Sequence, residues 1–405
     1  MSQAVMRLLA ALTANKGADV LVSPKTILPS LVLGIGLAPW VVAWLVPIRE
    51  AFALIPQGFL SVYLRRHPNR YKTWRLGMLL QIAAMSAILM TSFLTYQDLI
   101  GRSQVDKALI GFVILAFLLV FSVGRSCCSL TFKDIQADTV SKGHRGDLIG
   151  RASMLSGLIT LIIAAPIVWF QQAQTTTAVM LIVLTAISFF TVTLLLMWPV
   201  KTVVANEQST QSTDYHAHWW QNIIPDLDNE AWVFIAVRSV FVHSALVAPY
   251  FMLTSQFEAK QLMAYYLAAE ALAALLSAKI WGRLADRSAR STLRLAGIMA
   301  IIACVGLMWL VPDSLWLSAL LFFLLSVAHT GVRTARKTYT LDIKTGQERT
   351  ELVGSANSLI GVVLILLGSL YAVMQTQIGE NVVWVMTAML AVGVVSTFLL
   401  APEKE

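Results

Sequence analysis

Apolar runs of about 18 to 25 residues follow one another along almost all of this 405-residue chain, each long enough to cross roughly 30 Å of hydrocarbon as an α-helix. Lipid offers no partner to backbone N–H and C=O groups, so such segments must satisfy them internally, as a helix does. With 57% hydrophobic and only 13% charged residues, a soluble protein of this size could not cover its surface. The expected class is an all-α polytopic membrane protein. The opening MSQAVMRLLAALTANKGAD lacks the basic start, unbroken apolar core and small-residue cleavage site of a signal peptide.

An internal repeat orders these runs. Lys133-Asp-Ile-Gln-Ala-Asp138 through Arg145-Gly-Asp-Leu-Ile-Gly150 returns 204 residues later as Lys337-Thr-Tyr-Thr-Leu-Asp342 through Arg349-Thr-Glu-Leu-Val-Gly354. Ala152, Leu155 and Gly157 return in register as Ala356, Leu359 and Gly361. Hydropathy alone would begin the first span near Ile27. Aligning the Arg65 loop with the Arg287 loop, about 221 residues on, pairs 33–39 with 254–260 as outer turns and moves that start to Met6. The spans then fall at 6–32, 40–64, 76–96, 108–138, 150–170 and 177–198, and again at 231–253, 261–281, 293–311, 313–342, 353–374 and 382–401. This predicts twelve transmembrane helices in two pseudo-symmetric six-helix bundles, 1–198 and 231–405, joined by a polar linker over 199–230.

The net charge of +8 is concentrated on one side. Arg65, Arg66, Arg70, Lys72 and Arg75 fill one loop, and Lys279, Arg283, Arg287, Arg290 and Arg294 another, whereas the opposite connections carry Arg102, Lys107 and Lys260. Such asymmetry reflects the positive-inside rule, which makes the basic loops and both termini cytoplasmic and argues against nucleic acid as a partner. Cys127, Cys128 and Cys304 lie in apolar segments as packing residues, without disulfide or metal spacing. His216 and His218 sit in the linker with no further ligand in view, and Trp219 and Trp220 suit a membrane interface. No cofactor, metal or catalytic group is called for.

At Gly282-Arg-Leu-Ala-Asp286-Arg287-Ser-Ala-Arg290 the chain resembles the signature loop of the major facilitator superfamily, and Asp138…Arg145-Gly146…Gly150 is similar to that family's junction between fourth and fifth spans. Ala289 stands where the family usually has Gly, Ser291 where a second basic residue is common, and Leu118 where the fourth span usually carries a cation. In the first-half copy of the loop, Ser61 and Arg65 occupy the Gly and Asp positions. The resemblance implies gating roles for Gly282, Asp286, Arg287, Arg290, Asp138 and Arg145. Asp286 would meet the N-terminus of the fifth span, near Gly146 to Arg151, where free N–H groups and the helix dipole favour an anion.

The family's cavity is lined by its first, fourth, seventh and tenth spans, and here those spans hold most of the intramembrane charge. A charge at mid-bilayer costs at least about 2.5 to 3.5 kcal/mol, so each needs a partner or water. His329, Arg333 and Lys337 follow one another at i, i+4, i+8, and Arg125, Ser129 and Lys133 repeat that stripe. Lys16 and Arg238 fall near equivalent positions in the first and seventh spans. Lys16, Arg125, Arg238, His329 and Arg333 are therefore the candidate substrate-binding residues. Lys133 and Lys337 fit the cavity and headgroup snorkelling equally well.

Asp19, Asp134, Glu50 and Glu270 are the carboxylates available for proton coupling. Asp19 also suits a structural ion pair with Lys16 or another cation, and adjacent Arg49 and Glu50 point to different faces of their helix. The expected function is that of a monomeric secondary transporter in the inner membrane, moving a small organic anion by alternating access with proton coupling or exchange. The alternatives are a proton-driven multidrug efflux antiporter and a non-transporting sensor of the same fold. No nucleophile–base pair suggests an enzyme.

Overall fold

The computed structural model describes residues 3–66, 69–139, 145–170, 175–199, 228–343 and 346–402. Side chains are described within these except at 3–4, 61–62, 65–66, 133–134, 137–139, 145–147, 341–343 and 346–354. Among the described residues every regular element is helical. Most of the linker expected at 199–230, with His216, His218, Trp219 and Trp220, lies outside them.

The first six spans are α1 (Gln3–Leu21) with α2 (Ile27–Gly34), then α3 (Pro39–Arg66), α4 (Arg70–Tyr96), α5 (Gln104–Thr139), α6 (Arg145–Trp169) and α7 (Thr176–Met197). The next six are α8 (Asn229–Val240) with α9 (His243–Leu246) and α10 (Tyr250–Leu253), then α11 (Ala259–Arg287), α12 (Ala289–Leu310), α13 (Leu315–Ile343), α14 (Gly346–Ile378) and α15 (Val382–Ser396). Ten stretches are long and apolar enough to cross a membrane, and the last of them, Ser355–Leu399, holds both α14 and α15. Counting those two helices separately and adding α1–α2, too charged to qualify on hydropathy, gives twelve. The chain is a multi-pass membrane protein.

Side chains from the preceding turn start several of these helices. Asn69, Thr175, Asp228 and Ser288 accept from the backbone N–H three residues on, and Glu258 and Gln261 form a reciprocal capping box at α11.

Two expected spans are not continuous. The first stops at Leu21 and resumes at Ile27, with Pro24 in the gap, because proline cannot donate to the preceding turn. The seventh is divided into α8, α9 and α10. Side chains satisfy carbonyls exposed around these breaks: Ser244 Oγ donates to Phe241 O (2.9 Å), His243 Nδ1 to Val240 O (2.6 Å), and Tyr266 Oη to Phe251 O (3.2 Å). Non-helical backbone at membrane depth is tolerated where the protein supplies such partners.

Within the first six spans, α4 packs on α5 and α7, α3 on α5, and α1 on α6 and α7; within the rest, α11 and α12 pack on α13, and α12 and α8 on α15. The pairs α3–α14, α6–α11 and α2–α11 join the two sets. The α3–α14 seam depends on glycine. A Cβ at Gly361 would stand 2.6 Å from Ile55 Cγ1 and 3.1 Å from Ala51 O, and one at Gly368 would overlap the Pro47 ring. Small residues let membrane helices approach closely enough for dispersion to hold them.

The end carrying the Arg66–Arg70 and Arg287–Ala289 connections, the basic end, bears two matching clasps. Arg75 at the start of α4 donates to Trp198 O (2.7 Å) and covers the Trp198 ring at 4.6 Å. Arg294 at the start of α12 donates to Thr397 Oγ1 (2.8 Å) and covers the Phe398 ring at 4.0 Å. Each ties the last helix of a set of six to the third. Removing the Arg294 guanidinium forfeits a cation–π contact of about 1 kcal/mol together with its hydrogen bonds. Arg294→Ala is therefore expected to lower the melting temperature in detergent by a few degrees, and Arg294→Lys by less; equal melting of all three proteins would refute the clasp.

Candidate functional site

Where the broken first span passes α3, α5, α11 and α13, charged side chains converge from both sets of helices. Asp19 on α1 lies between two arginines, 3.2 Å from Arg49 Nη2 on α3 and 3.4 Å from Arg125 Nη1 on α5. Arg49 is 5% exposed, reaches Glu50 at 3.8 Å, donates to Asp19 O at 3.2 Å, and lies over the Phe121 ring. These four groups balance one another. Nearby, Lys16 Nζ donates to Ser153 Oγ of α6 at 2.6 Å.

A second group of cations makes no such close pairs, although Glu50 lies within electrostatic reach of Lys25 and Arg336. Arg333 and Arg336 on α13, and Lys25 at the break in the first span, form no ion pair or side-chain hydrogen bond among the described residues, although Arg333 lies within electrostatic reach of Lys16, Lys25 and Arg336. Arg238 on α8 is buried and donates to the neutral Asn357 Oδ1 (2.7 Å), whose amide nitrogen donates to Gln57 Oε1 of α3 (3.2 Å); Arg238 Nε has no hydrogen-bond partner among the described residues. Glu270 on α11 faces this group and accepts from Ser23 Oγ (3.1 Å) and Thr26 Oγ1 (3.5 Å) across the two sets.

Hydrogen-bond logic fixes the two histidines. The Val240 carbonyl can only accept, so His243 carries its proton on Nδ1, and Nε2 accepts from Tyr371 Oη at 2.6 Å. Ser244 gives its one proton to Phe241 O and so accepts from His329 Nδ1–H at 3.1 Å. His329 therefore carries a proton on Nδ1.

The two sets of helices are in close contact at the end away from the basic loops. There Ser30 Oγ donates to Ala259 O (3.1 Å), and Ala43, Val46 and Ala51 of α3 share one buried cluster with Tyr250, Leu364 and Tyr371. Toward the basic end α5 and α13 make no extensive contact among the described residues, Ser129, Arg333 and Lys337 are exposed, and open space surrounds Gly150 and Gly282.

No protein-family model and no curated protein matches the chain. Solved structures do. A D-xylose-proton symporter aligns with a TM-score of 0.72 at 12% identity, covering 98% of both chains. A bacterial homologue of the iron transporter ferroportin aligns over 99% of both chains in its inward-facing state, at 14% identity and a TM-score of 0.66. In the outward-facing state the TM-score is 0.59, at 13% identity over 98% of this chain and 99% of that one. The chain has the major facilitator fold.

Within the major facilitator fold the expected cavity residues distribute unevenly. Lys16, Arg125, His329 and Arg333 belong to the charged group. Arg238 is buried and donates to Asn357 of α14, and the second-half cation within electrostatic reach of Lys16 is Arg333. Asp19 pairs with Arg49 and Arg125 rather than Lys16. Arg49 and Glu50 make a 3.8 Å contact despite their divergent faces, since the long guanidinium folds back. Asp286 and Arg287 are exposed and make no hydrogen bond or ion pair among the described residues, while Arg290 donates to Leu400 O (3.2 Å). The side chains of Asp134, Asp138 and Arg145 lie outside the described residues. All three cysteines are buried and free.

Lys25, Arg49 and Arg336 are the members of the cluster absent from the candidate binding list. Arg336 follows Arg333 by three residues, a spacing that puts both on one helical face. Lys25 follows Pro24 in the interrupted span, where a break at membrane depth is itself a pointer to a binding site.

Proposed function

We propose that this protein is a secondary transporter that carries a small organic anion across the inner (plasma) membrane by alternating access. The observation that carries the reading is the set of cations with no ion-pair partner among the described residues, Lys25, Arg333 and Arg336, gathered where the two sets of helices meet. An uncompensated charge in a membrane protein needs water or a ligand, and an arriving carboxylate or phosphate would supply the missing partner. The same charge opposes a cationic drug or a metal ion as cargo.

In this reading residues 1–198 and 231–405 are the two moving halves, and the basic end is cytoplasmic with both termini, as the loop charges favour. The protein works as a monomer, and the conformation described faces the cytoplasm. The close contact at the far end and the higher TM-score against the inward-facing ferroportin homologue support that orientation. When the site turns outward, Asp286 docks on the N-terminus of α6 and latches the cytoplasmic side. Glu270 and Asp19 are the carboxylates that link transport to protons in this reading, supported by the bonds of Glu270 to Ser23 and Thr26 across the halves and by the two arginines beside Asp19. Exchange of one anion for another is the remaining coupling mode.

The test is thermal stabilisation of purified protein by anionic, neutral and cationic solutes, followed by flux of the best ligand in proteoliposomes. One charge-assisted hydrogen bond contributes about 1.5 to 3 kcal/mol, so Arg333→Gln is expected to weaken binding of the stabilising anion at least tenfold with little change in the ligand-free melting temperature. Stabilisation by lipophilic cations alone would overturn the reading in favour of drug export.

A further inference from the structure

The charge distribution says more about the cargo than its sign. Asp19 and Glu50 lie in contact with Arg49 and Arg125, two carboxylates against two guanidinium groups. Lys16, Lys25, Arg333 and Arg336 remain; Glu270, which already accepts from Ser23 and Thr26, faces Lys25, and Asp19 and Glu50, already in contact with the two arginines, reach Lys16, Lys25 and Arg336 only at longer range, so cations stay in excess. Buried Arg238 adds to the same field, within electrostatic reach of Arg336. No ion pair among the described residues joins any of these five cations. Four of them bear on Arg333 or Arg336, and Lys16 and Lys25 do so from the opposite half.

Alternating access requires this cavity to close over its contents and shed water. While it is open, water screens the mutual repulsion of Lys16, Lys25 and Arg333. Closure brings the same charges together in a low-dielectric space, where unpaired ions are costly. A neutral solute would leave that cost untouched, and a monoanion would leave the larger part of it. A cargo with two negative charges can meet cations of both halves at once, neutralising the repulsion that holds them apart.

Resting on the anion-transport reading above, we infer that the transported species is a dianion, a dicarboxylate or a phosphate monoester, bound between Lys16 and Lys25 of one half and Arg333 and Arg336 of the other.

The experiment compares molecules that differ in charge on one skeleton, at pH 8, using the purified full-length chain. One arm takes succinate, succinamate and succinamide; the other takes phenyl phosphate and its methyl diester. Succinate or phenyl phosphate is expected to raise the melting temperature at a concentration at least tenfold below its monoanionic partner, and the arm that responds identifies the headgroup. Arg336→Gln is expected to shrink that preference to less than threefold while the monoanion's own affinity falls less. Equal concentrations of monoanion and dianion giving equal stabilisation would overturn the dianion inference and leave anion transport standing. Stabilisation by succinamide equal to that by succinate would overturn both.

Discussion

Asp19→Asn is expected to destabilise the protein by about 3 kcal/mol, because it strands an arginine that is almost entirely buried. Arg49 is 5% exposed and its nearest counter-charge is the Asp19 carboxylate at 3.2 Å, with Glu50 farther away at 3.8 Å. Breaking a buried ion pair from one side typically costs about 3 to 5 kcal/mol, and the low end applies because Asp19 itself is 24% exposed. Arg125 loses the same partner at 3.4 Å. The measurement is thermal or denaturant unfolding in detergent, with Asp19→Asn/Arg49→Gln as the second variant. The double substitution removes both charges and should recover at least half of the loss. Additive losses in the double variant would show that the two residues do not form an energetic pair. If Asp19 also carries the coupled proton, the double variant will fold and bind anion yet lose its response to a pH gradient.

Gly368→Leu is expected to have the second large effect, on conformation rather than on binding. The Pro47 ring of α3 occupies the space a side chain at Gly368 would need, in the α3–α14 seam between the two sets of helices. Overpacking of this kind costs about 1 to 3 kcal/mol. Most of that strain is relieved if the α3–α14 seam opens, so a 2 kcal/mol penalty would favour the outward-open state by about 30-fold. Ser30, fully buried where it meets Ala259, reports the change. In a background with Cys127, Cys128 and Cys304 replaced by serine, a cysteine at position 30 should react with an impermeant thiol reagent at least tenfold faster when Gly368→Leu is present. Gly368→Ala should produce a smaller shift in the same direction. Unchanged labelling in both variants would mean that the seam does not gate the cavity.

Much of the architecture was legible in the sequence, for identifiable reasons. A helix must satisfy its own backbone in lipid, so run length located most spans, and the 204-residue repeat supplied the first span that hydropathy missed. Breaks in the first and seventh spans were less visible, because Pro24 and Pro249 resemble the prolines at 47, 56 and 166, which α3 and α6 accommodate without interruption. Stripe spacing placed His329, Arg333 and Arg125 toward the cavity. It could not show the partner of Arg238, a hydrogen bond with Asn357 more than a hundred residues later. The partners of Asp19 were equally hidden. Arg49 and Arg125 come from separate helices, and nothing in local spacing brings them to one carboxylate.

By itself, then, the sequence determined that this chain spans a membrane as a duplicated bundle of helices with an excess of positive charge in the spans of its first, fourth, seventh and tenth positions. Hydrophobicity, helical period and repetition are properties of neighbouring residues, and they survive reading in one dimension. Only the tertiary structure decided which charges cancel and which are left over. Compensation depends on distances of a few ångströms between helices remote in the chain, and those distances separate the balanced group of Asp19, Glu50, Arg49 and Arg125 from Lys25, Arg333 and Arg336, which form no ion pair among the described residues.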